Sequence, residues 1–222
     1  MRESRKPPLL FESPESEKVQ GSFVLLLKIL NSFLIVIFRL PKILCIFAIE
    51  MQRLLYIYVW LKRIRHTCGF GIQSPTDYWL VRYVINEHWP YYQYKTLGKG
   101  DQWLTRKLGR LYFRLANWRQ PQMIESDGYH DYFKAGCSMA NYGSSTELIR
   151  ITLEDDYQSR LIDIYNKVND GTVLIVEGIQ KDICFWQQIV ADVRTGVTFD
   201  LYYCGIVLFD KKRHKQNYII NF

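Results

Sequence analysis

Glu125, Asp127 and Gly128 are the residues of this chain whose types and spacing most suggest a ligand site. They follow a short apolar strand at residues 123–124 and precede a helix-compatible segment at residues 129–135. Phosphates or ribose commonly lie at such a turn, because glycine lets the backbone approach closely and the helix N-terminus is positive. This turn holds one glycine where a working loop has two or three. The pattern therefore predicts a nucleotide-type architecture with a degraded site.

Cysteines and histidines give no support to metal or disulfide chemistry. The five cysteines are odd in number, scattered, and never spaced as C-x-x-C, which is typical of reduced thiols in core positions. The four histidines lie far apart in the chain. His130 is the nearest candidate for a general base, but a base needs a partner geometry that the sequence does not supply. We therefore predict free thiols, no metal site and no catalytic residue.

The composition predicts a globular protein that buries a sizeable core. The chain has 222 residues, 48% of them hydrophobic and 15% aromatic. Its formal net charge of +7 would suit an anionic partner, but a mildly basic cytoplasmic protein is the commoner explanation. No glycine-rich or aromatic-interleaved basic patch accompanies the charge, so we expect no nucleic-acid binding. The sequence identifies no partner.

The first fifty residues differ from the rest of the chain. Residues 1–21 are polar and proline-containing, which predicts a disordered tail. Residues 22–50 form a hydrophobic extension, but Lys28, Arg39 and Lys42 interrupt it, whereas a membrane span needs roughly 20 uninterrupted apolar residues. Weak association of residues 23–49 with a membrane surface stays open. We expect the functional domain to begin at Met51.

Two features of the segment that follows allow both a packing and a binding interpretation. An aromatic group at residues 89–94 either packs against the domain or forms a wall that faces a substrate. A helix predicted over residues 101–119 carries cations beside its leucine face, which are either a solvated edge or a phosphate site. Packing and solvation are the commoner outcomes, so we expect them. The residues concerned are Trp89, Tyr91, Tyr92 and Tyr94, and Arg106, Lys107, Arg110 and Arg114.

The remaining elements alternate between strands and helices. Ser74 and Pro75 are expected to cap and begin a helix. Residues 141–153 suggest one or two short strands, residues 157–168 a helix, residues 173–176 a central parallel strand, and the C-terminus two or three strands. A helix over residues 182–194 is predicted to bury Ile183, Trp186, Val190 and Val193. This order predicts an α/β fold with a mostly parallel sheet and an antiparallel C-terminal edge.

Three segments resemble a known family. GFGIQSPTDYWLVRYVI with the following PYYQY, then LYFRLANWRQP, and finally VTFDLYYCGIVLFDKKRHKQNYIINF are similar to parts of a group of Bacteroidetes class I S-adenosylmethionine-dependent methyltransferase-like proteins. The resemblance implies a helical leader at residues 51–100 and a Rossmann-like methyltransferase-type domain at residues 101–222. The span 140–157 is too short for the strand, helix and strand of a full domain, so we expect a fold that is reduced in its middle.

The resemblance also implies roles for residues of the turn. Glu125 matches the acidic residue that ends the first strand of that fold, and Asp127 and Gly128 stand in the cofactor loop as vestigial binding residues. Glu177 ends a later strand as a single carboxylate. These departures imply a degraded S-adenosylmethionine site and a non-catalytic binding or scaffold module without cofactor. The alternatives are an active methyltransferase that uses S-adenosylmethionine and a peripheral membrane protein.

Overall fold

The computed structural model describes residue 51 and residues 53–154 and 156–222. The predicted tail (1–21) and hydrophobic extension (22–50) lie outside these residues. Internal contacts divide the chain after Tyr58, and the unit Val59–Phe222 contains the whole sheet. Within the described part of the chain, no helix is long and apolar enough to cross a membrane. The domain boundaries expected at residues 51 and 101 stay predictions.

Short helical elements precede the sheet. Helix α1 covers residues 53–62, and α2 (Pro75–Leu80) continues directly into a π-helical segment, Val81–Ile85. Ser74 caps α2 by accepting a hydrogen bond from the Asp77 amide, with proline at the first helical position, so this predicted helix start is confirmed. Helix α3 (Trp103–Arg119) confirms the long amphipathic helix.

A seven-stranded sheet follows, in the spatial order β2-β1-β3-β4-β6-β5-β7. Its strands are β1 (Met123–Glu125), β2 (Asn141–Tyr142), β3 (Leu148–Thr152), β4 (Val173–Glu177), β5 (Val197–Asp200), β6 (Cys204–Leu208) and β7 (Gln216–Ile219). The helices between them are α4 (His130–Gly136), α5 (Tyr157–Lys167) and α6 (Ile183–Ala191).

The pairing confirms an α/β fold with a mostly parallel mixed sheet. Strand β1 is parallel to β2 and β3, β3 is parallel to β4, and β5 is parallel to β7. Strand β6 is antiparallel to both of its neighbours, β4 and β5. The antiparallel pairing predicted for the C-terminal strands is therefore present, but it lies inside the sheet and the edge strand β7 is parallel.

The connection from β2 to β3 is unusually short. It spans residues 143–147 and contains no helix, although β1 lies between the two strands that it joins. A parallel crossover normally takes a dozen or more residues and a helix. Ser145 stabilises this short crossing because its hydroxyl donates to the Met123 carbonyl at 2.6 Å and accepts from the Glu147 amide. The expectation of too little chain for a strand, helix and strand holds here.

The two faces of the sheet carry side chains of different polarity. One face forms an apolar core with α5 and α6, and its central strands contribute Ile149, Ile151, Leu174 and Val176. Because side chains alternate along a strand, Arg150 and Glu177 point to the other face. Helices α3 and α4 pack closely against each other beside that face. A buried charged residue on β3 therefore faces α3 and α4, not the apolar core.

The predicted inner face of α6 is partly wrong. Trp186 is buried as expected, but Ile183 is 58% exposed and Val193 is 94% exposed. Helix α6 ends at Ala191, so the helical periodicity does not extend to Val193. Phe185 and Ile189 are the other residues that α6 buries in the core.

Polar contacts attach the leader to the C-terminal strands. Arg63 binds Asp200 through an Nη2–Oδ1 contact of 2.8 Å and also donates to the Asp200 carbonyl. Asp77 is buried and accepts from Arg213 at 2.7 Å. Thr67 forms a parallel bridge with Asn221 beyond the end of β7. Residues of the leader from Arg63 onwards are therefore bound to the sheet unit.

We expect the cysteines to differ strongly in reactivity. The four described cysteines are all free thiols; Cys184 is exposed, whereas Cys137 and Cys204 are buried. Burial also raises the pKa of the Cys204 thiol well above its ordinary value, and the thiolate is the reactive form. Brief iodoacetamide labelling of native protein, read by peptide mass spectrometry, should modify Cys184 before Cys137 and Cys204. Labelling of Cys204 at the rate of Cys184 would contradict the described packing.

Candidate functional site

The strand order places the predicted turn at a topological switch point. After β1 the chain moves outward to β2, and it then returns to β3 on the opposite side of β1. Ligands of open α/β sheets bind in the crevice at the carboxyl ends of the strands beside such a reversal. Glu125 ends β1, and residues 126–129 form the loop that follows it. The structure therefore brings Glu125, Asp127 and Gly128 to the expected edge of the sheet.

Glu125 is already engaged by groups of the chain itself. Its Oε2 atom accepts from the Ser145 amide at 2.9 Å and forms an ion pair with Lys167. Both side chains of the pair are about one-quarter exposed, at 23% and 26%. The carboxylate therefore joins the short crossing between β2 and β3 to the end of α5.

Asp127 and Gly128 also make contacts with other residues of the chain. Asp127 is 63% exposed and pairs with Arg160 at 2.6 Å, a surface contact that contributes little to stability. The Gly128 carbonyl and amide both bond to the Ser126 hydroxyl. A Cβ atom at Gly128 would meet only Arg150 Nη1, at 3.7 Å, which is an ordinary contact. The fold of the loop therefore does not require glycine at position 128.

The left-handed residue of the loop is Tyr129, not the glycine. Tyr129 has φ 59° and ψ 25° and precedes α4 without a capping side chain. Non-glycine residues rarely adopt this conformation because Cβ crowds the backbone. Its ring meets Tyr112 edge to face at 4.8 Å, and the Arg150 guanidinium lies 4.7 Å from its centroid. A tyrosine ring thus fills space beside the loop.

Arg150, Tyr112 and Glu177 form a buried network behind this ring. Glu177 Oε2 accepts from Arg150 Nε at 2.9 Å and from the Tyr112 hydroxyl at 2.6 Å, and it lies 2.8 Å from Arg150 Nη2. The Tyr129 hydroxyl donates to Glu177 Oε1 at 3.3 Å. Burial, followed by negative neighbours that include Glu177, raises the pKa of Tyr112 well above its ordinary value. Tyr112 is therefore a neutral donor in this network.

Sequence reasoning identified Glu177 but missed its partners. The available signal was the arginine within the apolar strand LIRIT, because a buried cation needs a partner. Tyr112 carried no such signal, since a tyrosine on the apolar face of a helix is ordinary core. Three elements that are distant in sequence, α3, β3 and β4, meet in this network.

The chain was compared with protein-family models, with curated proteins and with solved structures. None of them matches. The resemblance to S-adenosylmethionine-dependent methyltransferases therefore stays a prediction.

Among the residues that the structure describes, no group of three or more His, Cys, Asp and Glu side chains could hold a metal ion. His130 packs edge to face on Tyr142 at 4.6 Å.

The aromatic group and the basic helix edge meet at one cavity. A volume of about 620 Å³ is lined by Trp89, Tyr91 and Tyr94 from the first feature and by all four cations from the second. Tyr92 is not part of its lining and is 85% exposed. The sequence presented these features as separate, and the fold joins them.

Arg114 corrects the prediction of a solvated basic edge. It is only 6% exposed, and it donates through Nε to the Val84 carbonyl at 2.6 Å and through Nη2 to the Ile85 carbonyl at 2.7 Å. These carbonyls end the π-helical segment, so Arg114 caps it. Arg106, by contrast, is exposed as predicted.

Proposed function

We propose that this protein is a non-catalytic binding or scaffold module with a Rossmann-like, methyltransferase-related fold and a degraded S-adenosylmethionine site. One observation carries the proposal: beside the loop that follows β1, Arg150, Glu177 and Tyr112 bind one another, and the Tyr129 ring packs on Arg150. A cofactor at that place would have to displace a buried ion pair and two tyrosines. Displacement would leave a charge without its partner, which is costly.

The predicted cofactor residues support the same conclusion. An acidic residue at the end of the first strand binds cofactor through its carboxylate oxygens. One of the two, Glu125 Oε2, already accepts from the Ser145 amide and pairs with Lys167, which leaves less of the carboxylate for a ligand. Asp127 is directed to Arg160 on the surface. The vestigial site residues thus serve contacts within the fold.

The reduced middle of the sheet supports a non-catalytic descendant over an active enzyme. The sheet order is compatible with a Rossmann-like fold, and segments of the chain resemble methyltransferase-like proteins. Residues 143–147, however, provide neither a helix nor a further strand between β2 and β3. The structural elements that would enclose a nucleoside on this side of β1 are missing from the described chain.

Calorimetric titration with S-adenosylmethionine tests the proposal, and we expect only heats of dilution. Thermal unfolding gives an independent measurement, because a ligand present at 100 times its Kd stabilises by about 2.7 kcal/mol. At about 1 mM S-adenosylmethionine, a Kd of about 10 μM would therefore raise the Tm by several degrees. We expect no shift.

Saturable micromolar binding, or S-adenosylmethionine that copurifies with the protein, would overturn the proposal. Either result would make the active methyltransferase the leading interpretation. S-adenosylhomocysteine provides a matched second ligand, because it keeps the nucleoside and lacks the positive sulfonium. Binding of this product alone would also contradict a filled crevice.

A further inference from the structure

The cavity between residues 86–95 and α3 has the size and lining of a small-molecule site. Its volume of about 620 Å³ lies within the range of roughly 300–1,000 Å³ that is typical of ligand pockets. Aromatic side chains form much of its wall, including Trp89, Tyr94 and Trp103. It lies apart from the switch-point loop, since none of residues 123–129 lines it. A ligand here is therefore independent of the proposed loss of cofactor binding.

The charge of this cavity is strongly one-sided. Its described lining includes five Lys or Arg side chains and a single carboxylate side chain, Glu87. Glu87 already accepts from the Tyr91 hydroxyl at 2.8 Å. Clefts lined by one sign of charge concentrate ligands of the opposite sign. The electrostatics thus favour an anion.

Lys107 lies between two rings at this cavity. Its Nζ atom is 4.8 Å from the Trp103 centroid and 4.6 Å from the Phe222 centroid. Burial lowers the pKa of Lys107 to about 8, an effect that the positive Arg114 reinforces. A lysine on a solvated helix face would experience neither effect. The prediction that this edge of α3 is solvated is therefore wrong for Lys107.

Two residues that line the cavity each carry a buried donor without an acceptor. Asn86 is only 9% exposed, and its Nδ2 has no hydrogen-bond partner in the structure. The Nε atom of Arg110 is likewise buried without a partner, while its guanidinium lies 4.7 Å from the Tyr94 centroid. Buried polar groups are normally paired, and an exception needs an explanation. A bound acceptor would provide one.

We propose that this cavity binds a small aromatic anion, with its ring against the aromatic wall and its carboxylate or phosphate facing Lys107, Arg110 and Asn86. The ring supplies contact with Trp89, Trp103 and Tyr94, whereas the anion pairs with the cationic side chains of the lining. A purely aliphatic anion would lack the first interaction, and a neutral aromatic would lack the second.

Calorimetry on the full chain tests this inference with four probes: 2-naphthoate, 1-naphthyl phosphate, neutral 2-naphthamide and cyclohexanecarboxylate. We expect at least one naphthyl anion to bind saturably. The amide and the aliphatic acid should bind at least about tenfold more weakly. The amide loses the charge-assisted hydrogen bonds, and the aliphatic acid loses the contacts of an aromatic ring. The order of the two naphthyl anions distinguishes a carboxylate site from a phosphate site.

Variants then assign the binding to the cavity. Lys107→Met should weaken the naphthyl anion by about tenfold or more and leave the amide unchanged, whereas Lys107→Arg should keep most of the affinity. Lys134→Met is the matched control, because it removes the same charge from an exposed site on α4. Asn86→Asp provides a second test, since it replaces a neutral amide of the lining by a negative carboxylate that repels the ligand anion and should abolish binding.

Three results would overturn the inference. They are no saturable binding of either naphthyl anion, equal binding of anion and amide, or unchanged anion affinity in folded Lys107→Met and Asn86→Asp. Thermal unfolding of each variant shows whether it is folded. The outcome is separate from the cofactor test, because S-adenosylmethionine should neither bind nor compete.

Discussion

Replacing Glu177 by alanine is expected to lower the free energy of unfolding by about 3 kcal/mol. Removing one partner of a buried ion pair typically costs about 3–5 kcal/mol, because it leaves the other charge uncompensated. We take the lower end, since the Glu177 side chain is 20% exposed. Arg150, whose side chain is 6% exposed, would lose the acceptor of its Nε atom, and the buried Tyr112 hydroxyl would lose its acceptor as well.

A double-mutant cycle separates this network from simple loss of packing. The double variant Arg150→Met with Glu177→Leu should be clearly less destabilised than the sum of the two single substitutions, because it leaves no unpaired charge. Urea unfolding measures each free energy. Glu154→Ala is the matched control, since Glu154 is an exposed partner of Lys181 and its loss should change little. Additive effects of the two network substitutions would contradict a shared buried pair.

The network matters for function because it connects three elements at the crevice. It joins α3, β3 and β4, and Tyr129 extends it to the loop after β1. An open cofactor site needs these groups to be free or replaceable. Because removing one partner would leave the other charge unpaired, we expect that opening the crevice would also weaken the protein. This expected coupling is consistent with the proposed scaffold role.

Local patterns predicted most of the elements. The strand, turn and helix at residues 123–136 and the long α3 helix follow from periodicity and turn chemistry, and Ser74 with Pro75 marked the start of α2. These signals lie within one element and its immediate neighbours. They therefore need no knowledge of what packs against the element.

Tertiary contacts could not be predicted in the same way. Arg114 looks like its solvated neighbours in sequence, yet it is buried because the π-helical segment places two carbonyls within its reach. Val193 continued an apolar pattern, but α6 had already ended. The joint cavity needed residues 86–95 and α3 to fold against each other. Each of these features depends on the three-dimensional surroundings of a residue, which its local sequence does not reveal.

Glycine illustrates the difference between a motif and a structural need. Gly128 attracted attention because phosphate-type turns use glycine, but an added Cβ there would meet open space and one flexible guanidinium. Gly136 carried no motif. Its missing side chain is what lets α4 approach α3, because an added Cβ would lie 2.2 Å from the Phe113 carbonyl oxygen and 3.0 Å from the Ala116 Cβ. Of these two glycines, the one that the packing requires is therefore Gly136, outside the predicted site.

Gly136→Ala is accordingly expected to destabilise the protein by about 2–3 kcal/mol, within the range of overpacking substitutions. The backbone carbonyl of Phe113 cannot rotate away as a side chain could, so α4 must shift from α3. For a chain of this size, the Tm should fall by about 5–10 °C.

Gly128→Ala is the matched control, with the same chemical change eight residues earlier. Its Cβ makes only an ordinary contact with Arg150, and Gly128 has no left-handed conformation to lose, so stability should stay within about 0.5 kcal/mol of the original. Thermal and urea unfolding of both variants measure the difference. If Gly128→Ala were the more damaging substitution, the loop would need its glycine and the α3–α4 approach would not limit stability. If both substitutions were neutral, the close approach of α4 to α3, which would place an added Cβ 2.2 Å from the Phe113 carbonyl oxygen, would be contradicted.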